Sequence, residues 1–270
     1  MRNPKAPEMP ARQAAARLYE AHQRRERFAP LPAGLAPRSA EEAYAIQDAF
    51  VALRAAKLGP RAGYKIALSS PEMRRFVGVD TPQAGVILRS QVGRTPAKVR
   101  ASDYVRLIVE FEIGVEISED LPVADAPFAR ERILQAVGAV MPAIEIADDR
   151  DADYSQLSRH PFELIADNSW NEGAVLGEPV RDWKSLDLGQ VLGVAKINGR
   201  PVGEGRGRAA MGHPFEAVAW IANHLASLNR GLLRGDMVIT GSLITSKAVK
   251  AGDRIEFSLT GLGRAELTVE

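Results

Sequence analysis

The chain has 270 residues, with 35 Lys plus Arg against 34 Asp plus Glu, a formal charge of +1. Hydrophobic residues make up 46% and charged residues 26%, which excludes a disordered chain and a broadly basic nucleic-acid binder. Cysteine is absent, so disulfides, thiolate nucleophiles and cysteine-ligated zinc are excluded. The histidines are His22, His160, His213 and His224, so any chemistry rests mainly on carboxylates, lysine, hydroxyls and backbone. No apolar run approaches the roughly 20 residues that cross a bilayer. The N-terminal stretch has no apolar h-region, so a secretory signal is not expected and a cytoplasmic location is.

In chain order, residues 11–28 read as a helix with a thin apolar stripe of Leu18 and Phe28. After Pro30, Pro32 and Pro37, Ser39-Ala40-Glu41-Glu42 reads as a capping box. The helix behind it carries Tyr44, Ile46, Phe50, Val51 and Leu53, and stops at Gly59-Pro60. Residues 1–62 form a helical N-terminal segment, and 63–270 a β-rich catalytic domain. Residues 64–68 read as a short strand and 71–93 as loop-rich. Residues 105–118 alternate, with Val105, Leu107, Val109, Phe111, Ile113, Val115 and Ile117 on one face. A helix is expected from Asp125 and Pro127 to about Val137, with proline in its first turn. A mostly apolar strand follows over 139–147 and a polar, irregular stretch over 148–160. Residues 190–202 suggest a hairpin turning at Asn198-Gly199. Pro214 opens a long helix, which Gly231 follows. Strands near 236–241, 253–259 and 265–269 close the chain.

Period-two alternation places Glu110 and Glu112 on one strand face, with Glu116 further along. Adjacent carboxylates repel, so they require water, a cation or a shared proton. A solvated strand face satisfies that as well as a metal does. Glu145 lies inside Val140-Met141-Pro142-Ala143-Ile144-Glu145-Ile146-Ala147, where an unpaired carboxylate is costly to desolvate. An arginine partner would satisfy it. So would a site shared with Glu110 and Glu112, which as a hard oxygen set suits Mg²⁺ or Mn²⁺. Lys65, flanked by apolar residues, is either a snorkelling strand lysine or a desolvated acid–base group. Asp167-Asn168-Ser169 reads equally as a polar turn, and Thr240-Gly241-Ser242-Leu243 as a strand end. Gly203-Glu204-Gly205-Arg206-Gly207-Arg208 lacks the strand–turn–helix setting of a phosphate loop. His213 reads as a cap-region or packing residue.

Taken together, the segments GYKIALSS, GVDTPQAGVI, VEFEIGVEI, MPAIEIADDR, IADNS, GHPFEAVAWIANHLA, GDMVITGSL and KAGDRIEF occur in an order that resembles the 2-keto-4-pentenoate hydratase group of the fumarylacetoacetate hydrolase superfamily. The group shares its features with 4-oxalocrotonate decarboxylases. The resemblance runs from about residue 39 to the C-terminus. It implies an α+β fold, a mixed β-sheet rolled into a barrel-like core behind N-terminal helices. It implies Glu110, Glu112 and Glu145 as ligands of Mg²⁺ or Mn²⁺, Lys65 and Asp80 as catalytic groups, and Leu68, Ser69, Asn168 and Ser242 as substrate contacts. It implies a homo-oligomer, a dimer or an assembly of dimers, acting on a small 2-oxo or 2-hydroxydienoate acid, with no nucleic-acid or membrane partner. The implied reaction adds water to a 2-hydroxy-2,4-dienoate to give a 4-hydroxy-2-oxo acid, as in meta-cleavage degradation of aromatic compounds. The alternatives are decarboxylation of a 4-oxalocrotonate-type acid, acylpyruvate C–C hydrolysis, or a degenerate subunit that binds a keto acid or stabilises a partner. The sequence departs from the group's usual pattern at Ala67, Ser69, Trp170-Asn171-Glu172 and Ile244-Thr245-Ser246-Lys247, while all three acidic ligand positions are kept.

Overall fold

A computed structural model describes residues 9–270; residues 1–8, the start of the stretch read above for a signal segment, lie outside it. Two helices lead in, α1 (Met9–Gln23) and α2 (Ala40–Leu58). Then come β1 (Arg61–Ala67), α3 (Pro71–Val77), β2 (Gln83–Leu88), β3 (Val92–Arg94) and β4 (Ala97–Val99). The central pair is β5 (Leu107–Ile117) and β6 (Val137–Asp148), with α4 (Arg130–Ala136) between them. There follow α5 (Glu163–Ala166), β7 (Asn171–Leu176), β8 (Leu192–Ile197), β9 (Arg200–Arg206) and α6 (Pro214–Ser227). β10 (Met237–Ile239), β11 (Ile244–Ala248), β12 (Arg254–Leu259) and β13 (Gly263–Val269) end the chain. Among the described residues, no helix is long and apolar enough to cross a membrane.

The strands form two sheets, β2-β1-β10-β5-β6-β7-β3 with β11 also paired to β5, and β4-β13-β12-β8-β9. Both are mixed: β1–β10, β3–β7 and β4–β13 are parallel and the other pairs antiparallel. The larger sheet curls into the expected α+β, barrel-like form.

Alternation along β5 works as the sequence predicts, with Val109, Phe111, Ile113 and Val115 fully buried in the main core. The opposite face is also covered. There Met141, Ala143, Ala174, Leu176, Met237 and Ile239 form a second, smaller cluster. The β5–β6 register pairs Glu110 with Glu145, Glu112 with Ala143 and Gly114 with Met141. Cross-strand partners share a face, so all three acids rise from the side that carries the smaller cluster.

Four local readings change. α1 ends at Gln23, not at 28, because Arg25 takes φ 52° and Phe28 turns inward to donate its N–H to Arg150 O at 2.7 Å. The segment 71–93 holds a helix and two strands. Ser70 caps α3 by accepting Met73 N–H, Pro71 sits in its first turn and Gly78 ends it at φ 82°, so these breakers bound a helix rather than mark a loop. β2 shows no alternation because both its faces are buried. α4 starts at Arg130, leaving Pro127 outside it, and Asn229 at φ 58° rather than Gly231 turns the chain after α6. β11 has no counterpart in the sequence reading.

The hairpin stands as expected, with Asn198 and Gly199 both at positive φ. Ser39 caps α2 by accepting Glu42 N–H at 3.2 Å, but Glu42 reaches back to Arg38 N rather than to Ser39. His213 caps α6, its Nδ1 accepting Phe215 N–H at 3.0 Å.

Candidate metal centre and active site

Glu110, Glu112 and Glu145 each present a carboxylate oxygen within 4.8 Å of the others. Glu112 and Glu145 are fully buried. Each has one anchored oxygen: Glu112 Oε2 accepts Gly241 N–H at 2.7 Å, and Glu145 Oε1 accepts Asn171 Nδ2 at 2.9 Å. Their other oxygens, Glu112 Oε1 and Glu145 Oε2, are buried without a hydrogen-bond partner. Buried anionic oxygens without donors are rare because each retains its full desolvation cost. Burial, reinforced by Glu145, pushes the Glu110 carboxyl up to about 7. Burial, Glu145 and Glu110 push Glu112 well above the usual carboxylate range. Three converging oxygen donors, two of them orphaned, fit a hard divalent cation and disfavour soft metals.

Lys65 stands on the same sheet face. The register runs from Gly85 through Lys65 and Ile239 to Gly114 across β2, β1, β10 and β5. A Cβ at Gly85 would lie 2.8 Å from Lys65 Cγ, so glycine there gives the lysine stem its room. Lys65 is 3% exposed; its Nζ lies 3.0 Å from Glu145 Oε1 and donates to Ser169 O at 3.2 Å. Burial pulls its pKa down, but Glu145, Glu110 and Glu112 outweigh that and hold it above the usual lysine value. A cavity of about 370 Å³ opens onto Lys65 and Glu110.

The Fumarylacetoacetate (FAA) hydrolase C-terminal family model matches residues 61–270, most of the chain and every residue of this centre. The chain belongs to that family. It is 32% identical to 2-keto-4-pentenoate hydratase of Paraburkholderia xenovorans (strain LB400), over 96% of this chain and 94% of that one. It is also 32% identical to 2-hydroxyhexa-2,4-dienoate hydratase of Comamonas testosteroni, over 93% and 94%. Its fold resembles 4-oxalocrotonate decarboxylase from Pseudomonas putida G7, solved with calcium and acetate and with magnesium and adipate. Each superposes with a TM-score of 0.87 over 96% of this chain and 97% of that one, at 23% and 24% identity.

In this fumarylacetoacetate hydrolase family member, the other expected site residues fall in three places. Leu68, Ser69 and Ser242 line the cavity with Lys65. Arg74 Nη1 steadies Leu68 and Ser69 by donating to both carbonyls, at 3.1 and 3.0 Å. Ser242 Oγ accepts Phe111 N–H at 3.2 Å and donates to Ile244 O at 2.7 Å, so its hydroxyl ties β5 to β11. Asn168 is buried behind the wall, its side chain paired with Val86 N and O at 2.7 and 2.9 Å. Asp80 is exposed in the turn between α3 and β2, outside the cavity wall.

Ser169 and Trp170, from the two segments singled out in the sequence, line the cavity, and so do Tyr154 and Asp149, which no sequence signal assigns to the site. Tyr154 OH donates to Asp149 Oδ2 at 2.8 Å, and Asp149 also takes Arg106 through both carboxylate oxygens. Asn168, Ser169 and Trp170 take φ of 52°, 49° and 58° in succession. Left-handed geometry costs residues with a Cβ about 1–2 kcal/mol each, so this turn is held by its surroundings. Asn171 and Glu172 leave the turn in opposite senses. Asn171 anchors Glu145, while Glu172 pairs with Arg54 and His22 away from the cavity. The sequence signals for this turn are Asp167-Asn168-Ser169 and the departure at Trp170-Asn171-Glu172.

Proposed function

We propose that this chain is a divalent-metal-dependent hydratase that adds water to a 2-hydroxy-2,4-dienoate, or its 2-oxo-4-enoate form, giving a 4-hydroxy-2-oxo acid. The observation that carries the reading is the trio Glu110, Glu112 and Glu145 with two orphaned oxygens, set beside buried Lys65, with Lys65 and Glu110 lining a cavity. The hydratases matched over nearly the whole chain support the substrate class.

Mg²⁺ or Mn²⁺ held by the three glutamates would supply Lewis-acid polarisation of the substrate's carboxylate and C2 oxygen. The protein's part is proton handling and positioning. In the reaction, the C2 hydroxyl proton is lost and C5 gains one, giving a 2-oxo-3-enoate; water oxygen then bonds to C4 and a proton goes to C3. Lys65 Nζ, fixed between Glu145 and Ser169 O beside the carboxylate trio, is the group to which this reading gives the proton transfers. Of the two proton-transfer candidates, Lys65 lines the cavity and Asp80 does not, which supports giving the role to Lys65. The apolar residues Ile66, Leu164, Leu243 and Ile244 give the substrate's carbon chain an apolar lining. A cytoplasmic location and a homo-oligomeric assembly belong to the same proposal.

The test supplies 2-hydroxypenta-2,4-dienoate and 4-oxalocrotonate separately with Mg²⁺ or Mn²⁺, following loss of dienoate absorbance and release of CO₂. Hydration of the first acid without CO₂ from the second is the expected result. CO₂ release from the second, with the first untouched, would replace the hydratase reading with a decarboxylase.

A further inference from the structure

The turn Asn168–Trp170 has a consequence for substrate choice. It sets Ser169 and Trp170 into the cavity wall next to Lys65, whose Nζ bonds Ser169 O at 3.2 Å. Ser169 Oγ and Trp170 Nε1 are both buried without a hydrogen-bond partner, and Trp170 is 8% exposed. The indole is wedged edge-on between Phe28 and Tyr154, with ring centroids at 5.5 and 5.9 Å. Leu164 and Met73 continue the same wall.

Charge decides what this wall accepts. Among the described residues lining the cavity, the charged ones are Lys65, Glu110 and Asp149. Lys65 is committed to Glu145, and Asp149 is satisfied by Arg106 and Tyr154. Among the described residues, no cation other than Lys65 lines the cavity. A carboxylate entering there would lose its hydration with no counter-charge to replace it. Ser169 Oγ and Trp170 Nε1 are themselves buried, so the wall meets a ligand mainly through the apolar surface of Trp170, Leu164 and Met73, which suits an uncharged end.

We propose that this wall, centred on Trp170, is the specificity-determining element of the cavity: it admits 2-oxo acids whose far end is uncharged and rejects those that end in a second carboxylate. The inference rests on the reading that the 2-oxo acid end sits at the glutamate trio.

Two unreactive acids of equal length, 2-oxohexanoate and 2-oxoadipate, separate the claims by calorimetric binding to the full chain in excess Mg²⁺. They share the chelating end and differ in a terminal methyl against a terminal carboxylate. Wild type is expected to bind 2-oxohexanoate at least about 30-fold more tightly. Trp170→Ala, which opens the wall to water, is expected to narrow that ratio at least about fivefold. Met73→Lys, at a position 41% exposed where folding is not at stake, is expected to narrow it similarly by supplying a cation. Wild-type affinities within threefold of each other would overturn the inference while leaving the hydratase reading intact. A ratio unchanged in both variants would also overturn it. Failure of wild type to bind either acid would remove the chelation reading and the inference with it.

Discussion

Glu110 and Glu145 stand directly opposite each other on neighbouring antiparallel strands, a pairing of like charges that a sheet avoids unless something positive lies between or beside them. Lys65 supplies one positive charge, at 3.0 Å from Glu145, against three carboxylates. The charge deficit and the orphaned oxygens together argue for a cation. Glu116 marks the boundary of the site: it shares the strand face but pairs with Ala139 across the ladder and with Arg181 at 3.3 Å on the surface. Glu116→Gln should change kcat/KM by less than about threefold, as for a typical surface ion pair. Glu112→Gln should lower it at least about 100-fold in the same steady-state assay.

Lys65 repels a divalent cation while serving the reaction, so its removal should move two quantities in opposite directions. Lys65→Met should tighten Mg²⁺ binding, measured by calorimetry, because a nearby positive charge is lost. It should lower kcat by about 10²–10⁴, the usual range for a positioned acid–base group. Weaker metal binding together with unchanged kcat would assign Lys65 a purely structural role.

Gly241 joins β10 to the glutamate trio through its N–H to Glu112. Its φ is 99°, and a Cβ there would stand 2.5 Å from Ser69 Oγ and 2.6 Å from Ser69 Cβ. Gly241→Ala should destabilise the fold by about 1–3 kcal/mol in urea titrations. It should also weaken Mg²⁺ affinity, because the clash with Ser69 displaces the N–H that anchors Glu112. Gly252→Ala, with φ 91° and nothing within 4 Å of its Cβ, controls for backbone strain alone and should leave Mg²⁺ affinity unchanged.

The lead-in helix α1 is tied to the residues flanking the Asn168–Trp170 turn by ion pairs that titrate. His22 Nε2 lies 2.6 Å from Asp167 Oδ1 and its Nδ1 3.2 Å from Glu172 Oε1, while Arg150 pairs with the other oxygen of Asp167. Burial pulls the His22 pKa down, but Asp167 and Glu172 outweigh it and hold it above 6.5. Its stabilisation is therefore fully present below pH 6.5 and lost as pH rises through the higher folded value. Asp167 runs the other way. Burial pushes it up, Arg150 and His22 hold it at about 2, and its contribution, present above pH 3.8, is lost as pH falls towards 2. His22→Gln should be less stable than wild type by about 1–3 kcal/mol at pH 5.5. That gap should close at alkaline pH in urea unfolding. A gap that widens with pH would contradict the assignment.

Much of this arrangement was legible in the sequence because it follows from local periodicity. The two-residue repeat of β5 orients Glu110 and Glu112 together, the polar break in an apolar run exposes Glu145, and Asn198-Gly199 announces its own turn. What was not legible depends on contacts distant in the chain. α3 hides behind Pro71 and Gly78, whose breaker signal is the same whether they interrupt a helix or bound one. β2 has no alternation to detect because it is buried on both faces. The left-handed turn at Asn168-Ser169-Trp170 uses residues with ordinary side chains and is enforced by Val86 and Lys65 from elsewhere in the sheet. Asp80 sits in a motif that resembles the family's, yet where its carboxylate lies relative to the cavity is decided by packing.

The central claim is that Glu110, Glu112 and Glu145 together hold a divalent ion, and a Mn²⁺ titration of the full chain followed by electron paramagnetic resonance tests it most directly. Wild type should take up one Mn²⁺ per chain, and Glu145→Gln, with an unchanged circular dichroism spectrum, should bind it at least about 100-fold more weakly. Equal Mn²⁺ affinity in the two proteins would contradict the account.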